Sequence, residues 1–166
     1  ESPNIILANL GEVNPTLLVS VPRIFSRIYD GLTKHMESDG GLTKKMFDAA
    51  LANAYKKKEL DAEGDAGWFV NAQHGVFDKL VMTKVRDRFG GRLKYAISGG
   101  AAIPLEVANF IDALGVNVYE GYGLSETSPI ATANWPDSRI IGSVGKPIPG
   151  VSIEIDNAAS ADPRDG

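Results

Sequence analysis

Three short runs of strand-forming residues are separated by longer segments with helical spacing, and this alternation most limits the possible folds. The runs are residues 16–21 (TLLVSV), 92–98 (RLKYAIS) and 116–119 (VNVY). Short runs rich in β-branched and aromatic residues are typical of strands. Strands that alternate with helices predict an α/β fold, in which right-handed crossovers build a parallel sheet with helices on its faces.

Four helices are predicted between these strands. The first begins at Pro22, where a missing N–H is tolerated, and its apolar positions recur at helical spacing as far as Met36. The second covers residues 43–60 and the third residues 68–89, with a polar linker at 61–67. The fourth opens at Pro104 and places four apolar side chains on one face: Val107, Phe110, Ile111 and Leu114.

The pattern changes towards the end of the chain. Val151, Ile153 and Ile155 alternate with polar residues, which predicts a half-exposed antiparallel strand. We therefore expect residues 1–140 to form part of an α/β unit with a helical insertion at 38–75, and residues 141–166 to begin a smaller, truncated β-rich region. The chain starts without Met and stops in a turn-rich stretch, so we expect a piece of a longer protein.

Composition argues against several classes of protein. A net charge of −4 argues against a nucleic-acid-binding domain. No apolar run reaches the roughly 18 residues expected of a membrane span. The chain has no cysteine, which suits a reducing compartment, and we expect a cytoplasmic protein. His35 and His74 stand alone on predicted helices and are expected to be surface or packing residues.

Two polar, glycine-rich segments directly follow the second and third strands. They are residues 98–102 (SGGAA) and 121–129 (GYGLSETSP). Ligands of open parallel sheets bind beyond the carboxyl ends of the strands, so neighbouring strands would bring both segments to one crevice. A tight strand-to-helix turn and a plain Ser/Thr-rich loop remain the alternatives for these two segments.

The residue types in these segments suit a nucleotide. Glycine lets a flat ring lie against the backbone, and Tyr122 could cover the other face of an aromatic base. Ser125 offers a hydroxyl to a phosphate oxygen, and Glu126 offers a carboxylate to Mg²⁺. The chain has no P-loop and no G-x-G-x-x-G motif. Residues 143–146 match S-x-x-K, but Gly145 argues against the helix that this motif needs.

Four sequence blocks together resemble the adenylate-forming superfamily, which includes acyl-CoA synthetases, nonribosomal adenylation domains and luciferase. The blocks are VPRIFSRIY at 21–29, RFGGRLKYAISGGA at 88–101, YGLSETSP at 122–129 and GSVGKPIPG at 142–150. The first two blocks and the insertion at 38–75 are most similar to long-chain fatty-acid CoA ligases.

The resemblance implies an ATP-dependent acid–thiol ligase. A carboxylate attacks the α-phosphate of Mg-ATP to give acyl-AMP and pyrophosphate, and CoA then displaces AMP to give the thioester. The implied substrates are a fatty acid, ATP and CoA, with Mg²⁺ as the metal. Two alternatives remain: adenylation of an amino acid or aryl acid, and a noncatalytic relative that binds nucleotide or acyl chain. Peripheral membrane contact of the longer protein stays open, and the residues indicate no oligomeric state.

The resemblance also implies residues that hold the adenine. Tyr122 would stack on the base, and Glu120 would contact its edge. The opposite side of the base would be lined by three small residues, Gly100, Ala101 and Ala102.

Further residues are implied around the acyl phosphate. Gly121 would leave room for the acyl carbonyl, and Gly123 completes the nucleotide-binding set. Ser125 would contact the α-phosphate, and Glu126 would hold Mg²⁺; these two are the implied catalytic residues. The family's phosphate loop, ribose-binding Asp and small C-terminal domain match no part of residues 1–166, so we expect this chain alone to be inactive.

Overall fold

Five strands form one mixed sheet in a computed structural model that describes residues 3–87 and 90–155. The strands lie side by side in chain order: β1 Leu17–Ser20, β2 Tyr95–Ser98, β3 Asn117–Tyr122, β4 Thr132–Ala133 and β5 Lys146–Pro147. The first three are parallel, and the last two are antiparallel to their neighbours. The predicted parallel core is therefore confirmed.

Six α-helices lie within the described residues. They are α1 Pro3–Val13, α2 Pro22–Asp39, α3 Gly41–Glu63, α4 Gly67–Phe77, α5 Thr83–Asp87 and α6 Leu105–Ala113. A π-helical segment, Asp78–Met82, joins α4 to α5. Short 3₁₀ turns span Ser125–Thr127 and Pro136–Ser138. None of the helices in this part of the chain is long and apolar enough to cross a membrane.

The four helical segments predicted between the strands are present, but three details differ from the prediction. α1 is not predicted by the sequence pattern, and α3 continues to Glu63, into the predicted linker. The predicted third helix is not uniform, because the carbonyl of Asp78 accepts hydrogen bonds from the Thr83 backbone N–H and hydroxyl and so widens one turn. Its predicted end at Phe89 lies outside the described residues.

The helices pack on one face of the sheet. On that face Ala96 and Val118 are buried in the same core as Phe25, Ile28 and Phe110. The prediction of a sheet flanked by helices is confirmed; within the described residues the opposite face keeps its bulky side chains exposed: Leu17, Val19, Tyr95 and Ile97. An apolar sheet surface therefore borders the ends of the strands.

The alternating stretch Val151–Ile155 forms no strand, which corrects the prediction made for it. Ile153 and Ile155 are exposed, because the described residues supply no neighbouring strand along this stretch. Antiparallel pairing instead occurs at β4 and β5, where a partner is available on β3. The boundary at residue 140 stays a prediction, and residues 156–166 lie outside the described part.

Tyr29 and Glu106 join α2 to α6. The Tyr29 hydroxyl donates to Glu106 Oε1 at 2.5 Å, and its ring packs edge-on against Phe110 with centroids 4.8 Å apart. The hydrogen bond to Glu106, together with burial and the charge of that carboxylate, raises the pKa of Tyr29 to about 12. Since the ordinary value is 10.0, the folded state holds the phenolic proton more tightly than the unfolded state.

This contact gives a testable pH dependence. The stability that the neutral phenol contributes is complete below pH 10.0 and is lost as the pH rises towards about 12. We expect Glu106→Gln to move the pKa of Tyr29 back towards 10.0, because the charged acceptor is gone. NMR titration of the Tyr29 ring carbon would show it. Glu37→Gln on the exposed surface of α2 is the control, and an equal shift in both variants would contradict the assignment.

Candidate functional site

The two glycine-rich segments leave the same edge of the sheet. β2 and β3 are neighbours, with Ser98 opposite Glu120 in the register. A Cβ atom built on Gly99 would lie 3.9 Å from the carbonyl oxygen of Gly121, so the backbones of the two segments lie in close proximity. The prediction that both segments meet at one crevice is confirmed.

A cavity of about 770 Å³ opens at this edge. Its volume is within the roughly 300–1,000 Å³ typical of small-molecule sites. One end is formed by the backbone of the two glycine-rich segments, and the residues there are Gly99, Gly100, Gly121, Tyr122 and Gly123. The cavity therefore combines accessible backbone with the ring of a tyrosine.

Most of the rest of the cavity wall is apolar and was not predicted. This apolar part is the open sheet face together with residues around β4: Leu17, Val19, Tyr95, Ile97, Tyr119, Ile130, Trp135 and Pro136. Polar groups come from Ser20, Ser98, Glu120 and Asn134. A sequence signal for the sheet face exists in β2, where bulky Tyr95 and Ile97 alternate with small Ala96 and Ser98. No local sequence pattern predicts that Trp135 belongs to this wall. The antiparallel pairing of β4 with β3 brings it there.

Tyr122 belongs to a strand and not to the loop that was predicted. β3 continues through Tyr122, and the N–H of Ala131 donates to the Tyr122 carbonyl at 2.9 Å. Its side chain is 47% exposed and lines the cavity. Gly100 lines the cavity too, with a φ of +83° that favours glycine. Ala101 and Ala102 are exposed and stand outside the lining.

Ser125 and Glu126 lie on the 3₁₀ turn that follows the strand. Thr127 stabilises this turn, because its hydroxyl accepts from the Leu124 N–H at 2.8 Å and lies 2.9 Å from the Leu124 carbonyl. Ser125 and Glu126 are both exposed and do not line the cavity. The turn thus presents a hydroxyl and a carboxylate to solvent, a few residues beyond Tyr122.

Gly121 and Gly123 are glycines for steric reasons that hold without any ligand. A Cβ on Gly123 would lie 1.8 Å from the carbonyl oxygen of Pro129, and a Cβ on Gly121 would lie 3.2 Å from that of Thr132. The loop after β3 folds back so closely that no side chain fits at Gly123.

Glu120 is the one predicted nucleotide contact whose side chain is buried. It is 7% exposed, and its carboxylate accepts from the backbone N–H of Gly142 at 3.0 Å and of Ile103 at 3.4 Å. Its carbonyl accepts from the backbone N–H of Asn134 at 2.9 Å and from the Asn134 side chain at 3.2 Å. Glu120 lines the cavity, and the contact with adenine stays a prediction.

The remaining predicted features fall outside the cavity. His35 pairs with Asp39 at 3.5 Å on the same helix, and His74 Nδ1 is buried without a hydrogen-bond partner among residues 3–87 and 90–155. Over the same residues, no group of three or more His, Asp or Glu side chains could hold a metal ion. Gly145 has a φ of +82°, so the S-x-x-K match at 143–146 is not on a helix.

Comparison with known proteins relates the whole chain to one family. Residues 1–166 match the family model described as AMP-binding enzyme. The chain is 38% identical over 151 residues to the long-chain-fatty-acid–CoA ligase FadD15 of Mycobacterium bovis, and it covers 25% of that protein. It is 33% identical over 151 residues to the peroxisomal long chain acyl-CoA synthetase 6 of Arabidopsis thaliana, covering 20% of it. In both cases 90% of this chain is aligned.

Solved structures include similar chains of lower identity. A benzoate CoA ligase from Burkholderia xenovorans matches 90% of this chain and 20% of its own, with a TM-score of 0.48 and 18% identity. The anthranilate CoA ligase AuaEII matches 89% of this chain and 19% of its own, with a TM-score of 0.47 and 19% identity. This chain spans about a quarter or less of the length of the curated relatives named above.

Proposed function

Because the chain belongs to the family of AMP-binding enzymes, we propose that it is part of a long-chain fatty-acid CoA ligase. The natural full-length protein joins a long-chain fatty acid to CoA through an acyl-adenylate formed from ATP. The observation that carries this proposal is the placement of the apolar sheet face beside the glycine-rich ends of β2 and β3. One cavity therefore offers an apolar wall to an acyl chain and a backbone wall to a nucleotide.

The proposed nucleotide clamp has two sides. The ring of Tyr122 stacks on the adenine, and the backbone at Gly99 and Gly100 lies against the opposite face. Support comes from the exposure of Tyr122 and from the absence of side chains at the two glycines. Ala101 and Ala102 then contact the nucleotide only at its outer edge, since they lie outside the cavity lining.

Ser125 and Glu126 are proposed to act at the phosphates. Ser125 donates its hydroxyl to the α-phosphate, and Glu126 supplies one carboxylate to Mg²⁺. A single exposed carboxylate fits this metal, because Mg²⁺ is usually bound through one or two carboxylates, substrate phosphates and water. When bound, the ion neutralises phosphate charge, and the chain's own part is to position the phosphates and donate hydrogen bonds.

The lining favours a fatty acid over an amino acid. Apart from Glu120, whose carboxylate is held by two backbone amides, no lining residue is Asp, Glu, Lys, Arg or His. An α-amino group would lack a free carboxylate partner in the described part of this wall, and a buried unpaired charge is costly. We also propose a cytoplasmic location for the full-length protein. The relative from Arabidopsis thaliana named above is described as peroxisomal, so location differs from the proposal in that protein.

The test is a product assay on the natural full-length protein. Supplied with Mg-ATP and CoA, it is expected to form AMP and acyl-CoA in equal amounts from palmitate, and far less product from octanoate, benzoate or phenylalanine. Equal rates with benzoate or phenylalanine would reject the long-chain proposal. Nucleotide binding without any product would instead favour the noncatalytic relative. Residues 1–166 alone are expected to form no acyl-CoA.

A further inference from the structure

Glu120 lines the cavity and lies between two segments that are far apart in sequence. One oxygen of its carboxylate accepts from Ile103, in the segment that follows the glycines of β2. The other accepts from Gly142, in the segment between the Pro136–Ser138 turn and β5. Each oxygen thus holds a different segment, and the carboxylate bridges them.

The bridge needs a carboxylate with two free oxygens. The Ile103 and Gly142 backbone groups are both N–H donors, so both atoms that face them must accept. A glutamine of the same size has one acceptor oxygen and one NH₂ group, which would face an N–H donor. The substitution would leave one of the two N–H groups facing another donor.

Neighbouring contacts show that the Gly142 segment is fixed at several points. Asn134 is 6% exposed, and its side chain accepts from the Ile140 N–H at 3.0 Å and donates to the Ser143 carbonyl. A Cβ on Gly142 would lie 2.5 Å from Leu105 Cδ2, so this segment packs directly on the start of α6. Glu120 completes the connection to the segment that carries Gly99 and Gly100.

We propose that Glu120 is a positioning residue that ties residues 99–104 to residues 140–143 and so fixes the backbone wall on which the nucleotide lies. The proposal rests on the proposed function, and it assigns the Glu120 side chain a task other than contact with adenine. Its carboxylate acts through the position of Gly99 and Gly100. Losing the tie lets the wall move and weakens nucleotide binding, while the groups at the phosphates remain in place.

The experiment compares Glu120→Gln with the unmodified full-length protein in two measurements. Amide hydrogen exchange at Ile103 and Gly142 is expected to become at least tenfold faster at one or both positions. The Kd for a non-hydrolysable Mg-ATP analogue is expected to rise about tenfold, with kcat at saturating ATP changed less than threefold. Glu37→Gln makes the same chemical change on the exposed surface of α2, and it is expected to leave the exchange and the Kd unchanged.

A second variant keeps the proposal testable if Glu120→Gln does not fold. Asn134→Ala removes the contacts beside Gly142 but leaves the Ile103 bond, so faster exchange at Gly142 alone is expected, with a smaller rise in Kd. Unchanged exchange at both amides in Glu120→Gln, or faster exchange with an unchanged Kd, would overturn the proposal. An unmodified protein that forms no acyl-CoA would reject the proposed function only, because exchange and analogue binding need no turnover.

Discussion

Replacing Gly123 with alanine is expected to destabilise the chain by about 3 kcal/mol or more, at the upper end of the usual cost of overpacking. The added Cβ would lie 1.8 Å from the carbonyl oxygen of Pro129, 2.7 Å from its carbonyl carbon and 2.8 Å from Ile130 Cα. These are all backbone atoms, so the clash cannot be relieved by rotating a side chain. The loop after β3 must open, and Tyr122 and the 3₁₀ turn move with it.

Urea unfolding followed by circular dichroism measures this loss. Gly75→Ala is the matched control, because Gly75 lies on an exposed position of α4 with nothing within 4 Å of a built Cβ. That change is expected to stabilise the chain by about 0.5–1 kcal/mol through its helix propensity. Similar stability of the Gly123 and Gly75 variants would mean that the loop does not fold back as described.

Replacing Glu126 with alanine in the natural full-length protein is expected to lower kcat/KM roughly a hundredfold or more, if this carboxylate holds the metal at the phosphates. Stability should change by less than about 0.5 kcal/mol, because Glu126 is exposed on the surface turn. Steady-state formation of acyl-CoA and thermal unfolding are the two measurements. A loss of activity without a loss of stability separates a chemical role from a structural one.

The control for Glu126 is Glu59→Ala, which removes another exposed carboxylate from α3 and should leave both measurements unchanged. If the Glu126 variant retains full activity, the metal is held elsewhere and the assignment of this residue is wrong. If the unmodified protein binds a nucleotide analogue as tightly as the variant does and neither turns over, the noncatalytic alternative gains support.

The sequence predicted the site better at its backbone than at its side chains. Gly99, Gly100 and Gly121 meet as expected, because parallel neighbouring strands must bring their ends together. The exact direction of the Glu120 carboxylate was beyond sequence reasoning. Strand alternation places Glu120 on the same face as buried Val118, but its partners, Ile103 and Gly142, come from segments that the sequence did not show to be close.

Periodicity predicted α6 well and α4 poorly. Val107, Phe110 and Ile111 on α6 and Leu114 directly after it are all buried, since this helix connects neighbouring strands and must cover them. On α4 the apolar residues Trp68, Phe69 and Val76 are exposed, because this helix packs mainly on α3 and on the π-helical segment that follows it. A helical pattern therefore predicted the helix but not what it covers.

The sequence by itself determined the three parallel strands, the helices between them and the two glycine-rich segments at one edge, because short-range spacing and backbone geometry decide these features. Only the tertiary structure decided that the helices cover one face, that β4 returns antiparallel and brings Trp135 to the cavity, and that Glu120 bridges two loops. Those features depend on contacts between residues far apart in the chain, and no local pattern encodes such contacts.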